Sequence, residues 1–292
     1  MRPRIVLSVL AGLVIHALVA NGLTWAADYG GPLIDAHSHV PNATAIDAYV
    51  AAMKRHNVLK VVLLGVGGLQ KEDTAWITAA SKKYPDRVVA GLPLPDPTSE
   101  SAASQLAVQL ERGKPRVIGE VHMRQVGRRL IDRDPNGPVF GKILDAAAKF
   151  EVPIVIHYEL TDQAETALDR ALAAHRKSLV VLAHGGEGPP GRLDRLLLRN
   201  PNLFVDLSGM HFQRTPALAS ETGPMDPGWK ALIERRPDRF MMGVDVWAVR
   251  LFEPAMLDRL FAWTRRVLGE LKPDVAERVA HRNAAKLYRL EP

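Results

Sequence analysis

The 292-residue chain contains no cysteine. That absence excludes disulfides, thiolate zinc sites and cysteine nucleophiles, and it leaves no thiol for lipid attachment at a processed N-terminus. No Gly-x-Ser-x-Gly nucleophile elbow occurs, so His184-Gly185-Gly186 has no serine partner of the lipase kind. Gly65-Val66-Gly67-Gly68 lacks the rest of a dinucleotide fingerprint and any phosphate-binding Lys-Ser/Thr. Both segments read as tight turns. Internal repeats, low-complexity tracts and linkers that would divide the chain are also missing. One long apolar run stands out, Ile5–Ala20.

Arg2 and Arg4 precede that run, and small residues around Thr24-Trp25-Ala26 follow it. A basic start, a short apolar stretch interrupted by His16 and a small-residue end predict a secretory signal peptide over 1–26, cut near Ala26. The expected product is one domain, 27–292, periplasmic or secreted and without stable membrane insertion; an uncleaved anchor is the alternative. The two arginines are not adjacent, which argues against twin-arginine export. Removing 1–26 takes the net charge from +6 to +4, with 36 basic against 32 acidic side chains. That excess suits an anionic small-molecule substrate and is too small for a nucleic-acid footprint.

Past the leader, short β-branched runs alternate with longer amphipathic ones. The apolar runs cover 33–36, 59–64, 87–92, 116–121, 153–157, 179–184, 203–207 and 240–244. Most are near-continuously apolar, as parallel strands buried on both faces require. Helical patterns cover 45–55, 72–83, 100–112, 139–150, 162–175, 192–199, 228–235 and 253–271. A further helix is expected over 274–290, packed on the outside. Eight strand–helix units in about 250 residues are the count and size of a (β/α)8 TIM barrel, here with an additional C-terminal helix.

Chemistry in such a barrel sits where the strands end. The first strand runs into Leu33-Ile34-Asp35-Ala36-His37-Ser38-His39, whose histidines are two apart and therefore share a face. Two neighbouring imidazoles are half of a divalent-metal site. The fourth strand ends in Glu120 and His122, the fifth in His157, the sixth in His184 and the eighth in Asp245. Four of the ten histidines, His37, His39, His157 and His184, thus fall at predicted strand ends.

This ordered set, His-x-His on strand one, Glu on four, His on five and six and Asp on eight, resembles the amidohydrolase superfamily. The opening Leu33–His39 and the closing His281-Arg282-Asn283-Ala284-Ala285-Lys286-Leu287-Tyr288 are similar to its amidohydrolase-related branch. The resemblance spans essentially the whole mature chain. It implies a metal-dependent enzyme; two-metal members bridge their ions with a carboxylated lysine or a glutamate. No lysine occurs over 116–124, so Glu120 is the bridging candidate, with support of a ligand through a hydrogen bond as its alternative role.

Taken as chemistry, His37, His39 and Asp245 would bind one divalent ion, zinc being the expected one. His157 and His184 would complete that ion's shell or hold a second. Such an ion brings the pKa of a bound water to about 7, and Asp245 is the expected catalytic residue, taking a proton and handing it to the leaving group. His122, Arg124, His211 and Trp247 are the substrate-side candidates, and loop arginines at 128, 129, 214 and 250 would suit a carboxylate or phosphate. Few aromatics interleave those arginines, which speaks against nucleic acid. The expected activity is hydrolysis of an acyl C–O or C–N bond in a lactone, ester or amide. A metal-dependent decarboxylase, a phosphoesterase or nuclease, and a non-catalytic metal- or ligand-binding barrel are the alternatives. A homo-oligomer is compatible with the sequence.

Overall fold

A computed structural model describes residues 27–66, 71–94 and 96–290. The signal-peptide reading of 1–26 and the second half of the Gly65–Gly68 turn lie outside the described residues. Among the described residues, no helix is long and apolar enough to cross a membrane.

Among the described residues, nine strands follow one another as β1 (Leu33–Ser38), β2 (Val58–Leu63), β3 (Val88–Ala90), β4 (Ile118–Gln125), β5 (Ile131–Asp132), β6 (Ile154–Tyr158), β7 (Val180–Leu182), β8 (Leu203–Asp206) and β9 (Phe240–Met241). All except β5 are parallel to their neighbours. The ladder runs β1-β2-β3 and β4-β6-β7-β8-β9. Backbone hydrogen bonds carry it across the two remaining gaps. Between β3 and β4, Leu92 N–H donates to Val117 O (2.8 Å) and Gly119 N–H to Leu92 O (2.9 Å). Between the end of β9 and β1, Ala36 N–H donates to Met242 O (3.0 Å), Asp245 N–H to His37 O (2.9 Å) and His39 N–H to Val246 O (2.9 Å). The ring is the eight-stranded parallel barrel that the sequence pattern predicts, and all eight expected strands are present.

Alternating side chains divide the apolar residues into two cores. Ile34, Ala36, Val62, Leu64, Val117, Val155, Val181 and Met241 fill the barrel interior. Leu33, Val61, Leu63, Ile118, Ile154, Ile156, Leu182 and Val205 face the surrounding helices. Helix Ala45–Arg55 shows how a helix meets them: Ile46, Tyr49, Val50 and Met53, at helical spacing, form its buried stripe.

One segment carries a strand that the apolar runs do not show, and one expectation needs correction. Over 124–138 the chain is partly a hairpin: β4 continues to Gln125, and after a turn with Leu130 in the left-handed region β5 pairs back antiparallel, Gln125 against Ile131. Two paired residues are too few to leave an alternating pattern in sequence. The terminal helical segment, expected on the outside, instead closes the barrel. It runs as Pro273–Glu277, a wider π turn over Arg278–Arg282, and Asn283–Leu287. Ala284 and Tyr288 belong to the interior core, and Tyr288 is fully buried.

Tyr288 therefore gives a direct test of the plug. Its hydroxyl is buried without a hydrogen-bond partner among the described residues. Tyr288→Ala should cost about 3–5 kcal/mol by leaving a ring-sized void, whereas Tyr288→Phe should raise stability by about 1 kcal/mol by removing an unsatisfied group. Urea unfolding of the pair measures both, and equal destabilisation by Ala and Phe would contradict the assignment.

Candidate active site

The C-terminal ends of the strands converge on a buried cluster of imidazoles and carboxylates. β1 delivers His37 and His39, β4 Glu120 and His122, and β6 His157. The pairing of β1 with β2 shifts register between Asp35 and Ser38, the kind of irregularity that re-aims side chains at a strand end. His184 follows β7 in a turn where His184, Gly185 and Gly186 all have positive φ, at 56°, 60° and 67°. A side chain at Gly186 would also run into Leu160, 2.7 Å from the position of a Cβ, so only glycine serves there. Asp245 lies beyond the end of β9 with φ 57°. All seven of these polar residues are buried.

Their donor atoms fall into three overlapping sets, each within 4.8 Å: His37, His39 and Asp245; His37, Glu120 and His184; Glu120, His122 and His157. Outer acceptors orient three of the rings. His37 Nδ1 lies 2.9 Å from Asp206 Oδ2, His39 Nδ1 2.8 Å from Leu64 O, and His184 Nδ1 2.9 Å from Ser208 O. With Nδ1–H donating outward, each Nε2 faces inward and offers a lone pair once it carries no proton, as metal-ligating histidines do. His37 Nε2 and His39 Nε2 are 3.3 Å apart, and only a proton or a metal ion between them relieves the repulsion of facing lone pairs. His157 meets Glu120 through Nδ1, and its buried Nε2 has no hydrogen-bond partner among the described residues. Donor types, spacing and these inward-facing nitrogens fit a divalent metal.

Glu120 stands at the centre. Oε1 is 3.0 Å from His157 Nδ1 and 3.1 Å from His184 Nε2, while Oε2 is 3.6 Å from both His39 Nε2 and His122 Nε2. Burial alone would raise its pKa, yet the His122, His37 and His157 imidazoles hold it well below the usual carboxylate range. Burial would likewise lower His37, but the Asp206 and Glu120 carboxylates overcome it and push that imidazole up to about 10. The cluster calls for positive charge. The backbone of 64–65 supports two of its members at once: Leu64 O holds His39, and Gly65 O accepts Glu120 N–H at 2.8 Å.

The six residues expected to bind metal, His37, His39, Glu120, His157, His184 and Asp245, are thus brought together. Of the substrate-side candidates, His122 and Trp247 line the cavity above them, a space of about 310 Å³ whose wall includes Gln125, Arg128, Arg129 and Arg214. His122 stacks on His157, ring centroids 5.0 Å apart, and burial pushes it down to about 4. His211 lies in an adjoining recess with Arg250 and Trp247. Arg124 is a correction. The β4–β6 register shifts between His122 and Arg124, and the guanidinium turns away to Asp132 Oδ1 (3.2 Å) and Glu159 O (3.0 Å).

Asp206, absent from the expected set, ends β8, so the strand-end test reaches it as well. Arg214 is one of five loop arginines that sequence alone does not tell apart. The structure singles it out: Arg214 Nη1 donates to Asp245 Oδ2, and Nη2 lies 3.3 Å from Glu187 Oε1.

A sequence profile described as Amidohydrolase matches residues 66–290. No curated protein gives a significant match. Among solved structures, the chain is similar to an uncharacterized TIM-barrel protein from Bordetella bronchiseptica, with 15% identity, 89% of this chain and 99% of that one covered, and a TM-score of 0.65. It is similar to a dihydroxybenzoic acid decarboxylase from Polaromonas sp. JS666 with bound manganese and the inhibitor 2-nitroresorcinol, with 15% identity, coverages of 90% and 97%, and a TM-score of 0.61. It also resembles a probable 2-pyrone-4,6-dicarboxylic acid hydrolase from Acinetobacter baumannii with citric acid bound, with 17% identity, coverages of 89% and 100%, and a TM-score of 0.59.

A divalent ion held by His37 would compete with a proton, because the Asp206 and Glu120 carboxylates push that imidazole up to about 10. Metal loading should therefore release protons, and affinity should rise with pH while His37 is still protonated. Calorimetry in buffers of different ionisation enthalpy reads this, and a pH-independent affinity would contradict it. Asp206→Asn should weaken binding about 10–100-fold and reduce the proton release, because the carboxylate raising His37 is gone.

Proposed function

This chain belongs to the amidohydrolase family, and on that premise we propose that it is a metal-dependent hydrolase of small carboxylate-bearing molecules, with Asp245 as the proton carrier. The observation that carries the proposal is the inward convergence of His37 and His39 Nε2, 3.3 Å apart, beside the buried Asp245 and Glu120 carboxylates. His37, His39 and Asp245 would hold one divalent ion, and His157 and His184 would complete its shell or hold a second, with Glu120 as the bridging candidate. The ion would supply Lewis acidity toward a substrate oxygen and make a water more acidic. Imidazole and carboxylate donors suit zinc, and the manganese in the Polaromonas decarboxylase supports that ion as well.

Asp245 divides its work between its oxygens. Oδ1 lies 3.4 Å from His39 Nε2, inside the cluster, and Oδ2 accepts from Arg214 at the cavity wall. Burial opposes ionisation, yet His184, His39 and Arg214 hold the carboxylate well below its usual range, so it stays charged and carries no proton of its own. Having taken one from the attacking water, Asp245 returns it to the leaving atom. Arg128, Arg129 and Arg214 line the same cavity and suit a substrate carboxylate. The cavity volume of about 310 Å³ suits a molecule of one ring or a short chain.

Decarboxylation is the second reading, supported by the likeness to the Polaromonas enzyme. There the arginines and the ion would hold the departing carboxylate, and the proton would go to the carbon that carbon dioxide leaves. The composition of residues 1–26 supports export in either case.

Metal analysis of the purified protein and its Glu120→Gln variant should give nearly two ions per chain falling to one if Glu120 bridges, and one ion in both if it does not. Asp245→Asn should keep the fold and the metal but lower kcat about 10²–10⁴-fold, while His37→Ala should lose metal too. Full activity in Asp245→Asn would remove the proton-carrier assignment. Turnover in labelled water separates the two chemistries: label enters the product oxygen in hydrolysis, whereas released carbon dioxide marks decarboxylation.

A further inference from the structure

We infer that Asp35 is a positioning residue for the metal cluster: without touching the ion's site, it sets Asp245 against His37 and His39 across the seam of the barrel. The inference rests on the metal-site reading given above.

Asp245 lies past the last regular strand, where only the backbone bonds to β1 at Ala36, His37 and His39 carry the ladder on. β9 ends at Met241, and Asp245 itself has φ 57°, a region non-glycine residues seldom enter. The segment around it is pinned by three consecutive backbone donors, all received by β1. Val244 N–H donates to Asp35 Oδ1 (2.8 Å), Asp245 N–H to His37 O (2.9 Å) and Val246 N–H to Ser38 Oγ (3.3 Å). Two of those three acceptors are side chains, and they add to the Ala36–Met242 and His39–Val246 backbone bonds in holding a segment that lacks regular strand geometry.

Asp35 controls both side-chain acceptors. Its Oδ1 also accepts His37 N–H at 3.2 Å, so one oxygen joins the backbone of a histidine ligand to the residue preceding Asp245. Its Oδ2 accepts the Ser38 hydroxyl at 2.5 Å and the Tyr49 hydroxyl. Pointing its proton at Asp35 leaves Ser38 Oγ with lone pairs for Val246 N–H. Tyr49, fully buried on helix Ala45–Arg55, fixes the carboxylate from behind. Four donors fill the acceptor capacity of the carboxylate, so none remains for an ion. Asp35 is 2% exposed and has no route to substrate.

The test is Co(II) affinity by chelator competition, together with the Co(II) absorption spectrum, on wild type, Asp35→Ala, Asp35→Asn and Ser38→Ala. Asp35→Ala should lose about 10–100-fold in affinity and alter the spectrum, as removal of a supporting hydrogen bond does. Asp35→Asn should recover most of the affinity, because its oxygen still accepts from His37 and Val244 while the hydroxyls rotate to accept from its amide. Ser38→Ala should lose about tenfold, and it decides the matter if Asp35→Ala does not fold. Wild-type affinity and spectrum in the folded alanine variants would overturn the positioning role while leaving the metal site standing. A wild type that binds no Co(II) would instead overturn the metal site, and this inference with it.

Discussion

Negative charge held out of water is the constraint on which this molecule depends. Glu120, Asp206 and Asp245 are all buried at one end of the barrel. Removing a carboxylate from water costs several kcal/mol unless partners return that energy. Arg214 covers one oxygen of Asp245 and the imidazoles crowd around Glu120, while the Nε2 atoms of His37 and His39 are brought to within 3.3 Å of each other. A divalent cation satisfies both groups together, because carboxylates and neutral imidazoles are its natural donors. The acceptors behind the histidines follow from the same demand, since a ring can offer Nε2 inward only when its Nδ1 proton has somewhere to go.

The barrel makes that concentration tolerable by keeping it at one end. Below the polar layer the interior is apolar, from Ile34 and Val62 down to Tyr288 in the terminal helical segment. β1, β4, β6 and β8 thus change character along their length, apolar where they are enclosed and ionisable where they emerge. The chemistry borrows rigidity from a core in which it takes no part.

Much of this was legible in the chain because it is written in periodic or positional form. The eight apolar runs, the helical stripes and the strand-end histidines follow rules that read one residue at a time. What escaped depends on relations between distant segments. Arg124 shares alternation with Glu120 and His122, but a register shift turns it away. Arg214 looks like every other loop arginine until Asp245 lies beside it. The plug formed by Ala284 and Tyr288 has the composition of an outer helix, and only the geometry of the barrel end reveals where it goes. Asp206 was within reach, because it ends a predicted strand; the strand-end test simply applies to it as well as to His184.

The support of His39 and Glu120 by the main chain of residues 64–65 has an evolutionary consequence. A peptide oxygen is present whatever side chain its residue carries, so that support does not drift as Leu64 exchanges with other residues of similar shape. Gly65 is the exception, since a Cβ there would lie 2.9 Å from Pro93. The cavity wall, built from loop side chains such as Arg128, Arg129 and Trp247, has no such protection. Substitution can therefore rewrite what the cavity accepts while the reacting groups beneath it stay in register, and a lineage carrying this barrel can change substrate without rebuilding its chemistry.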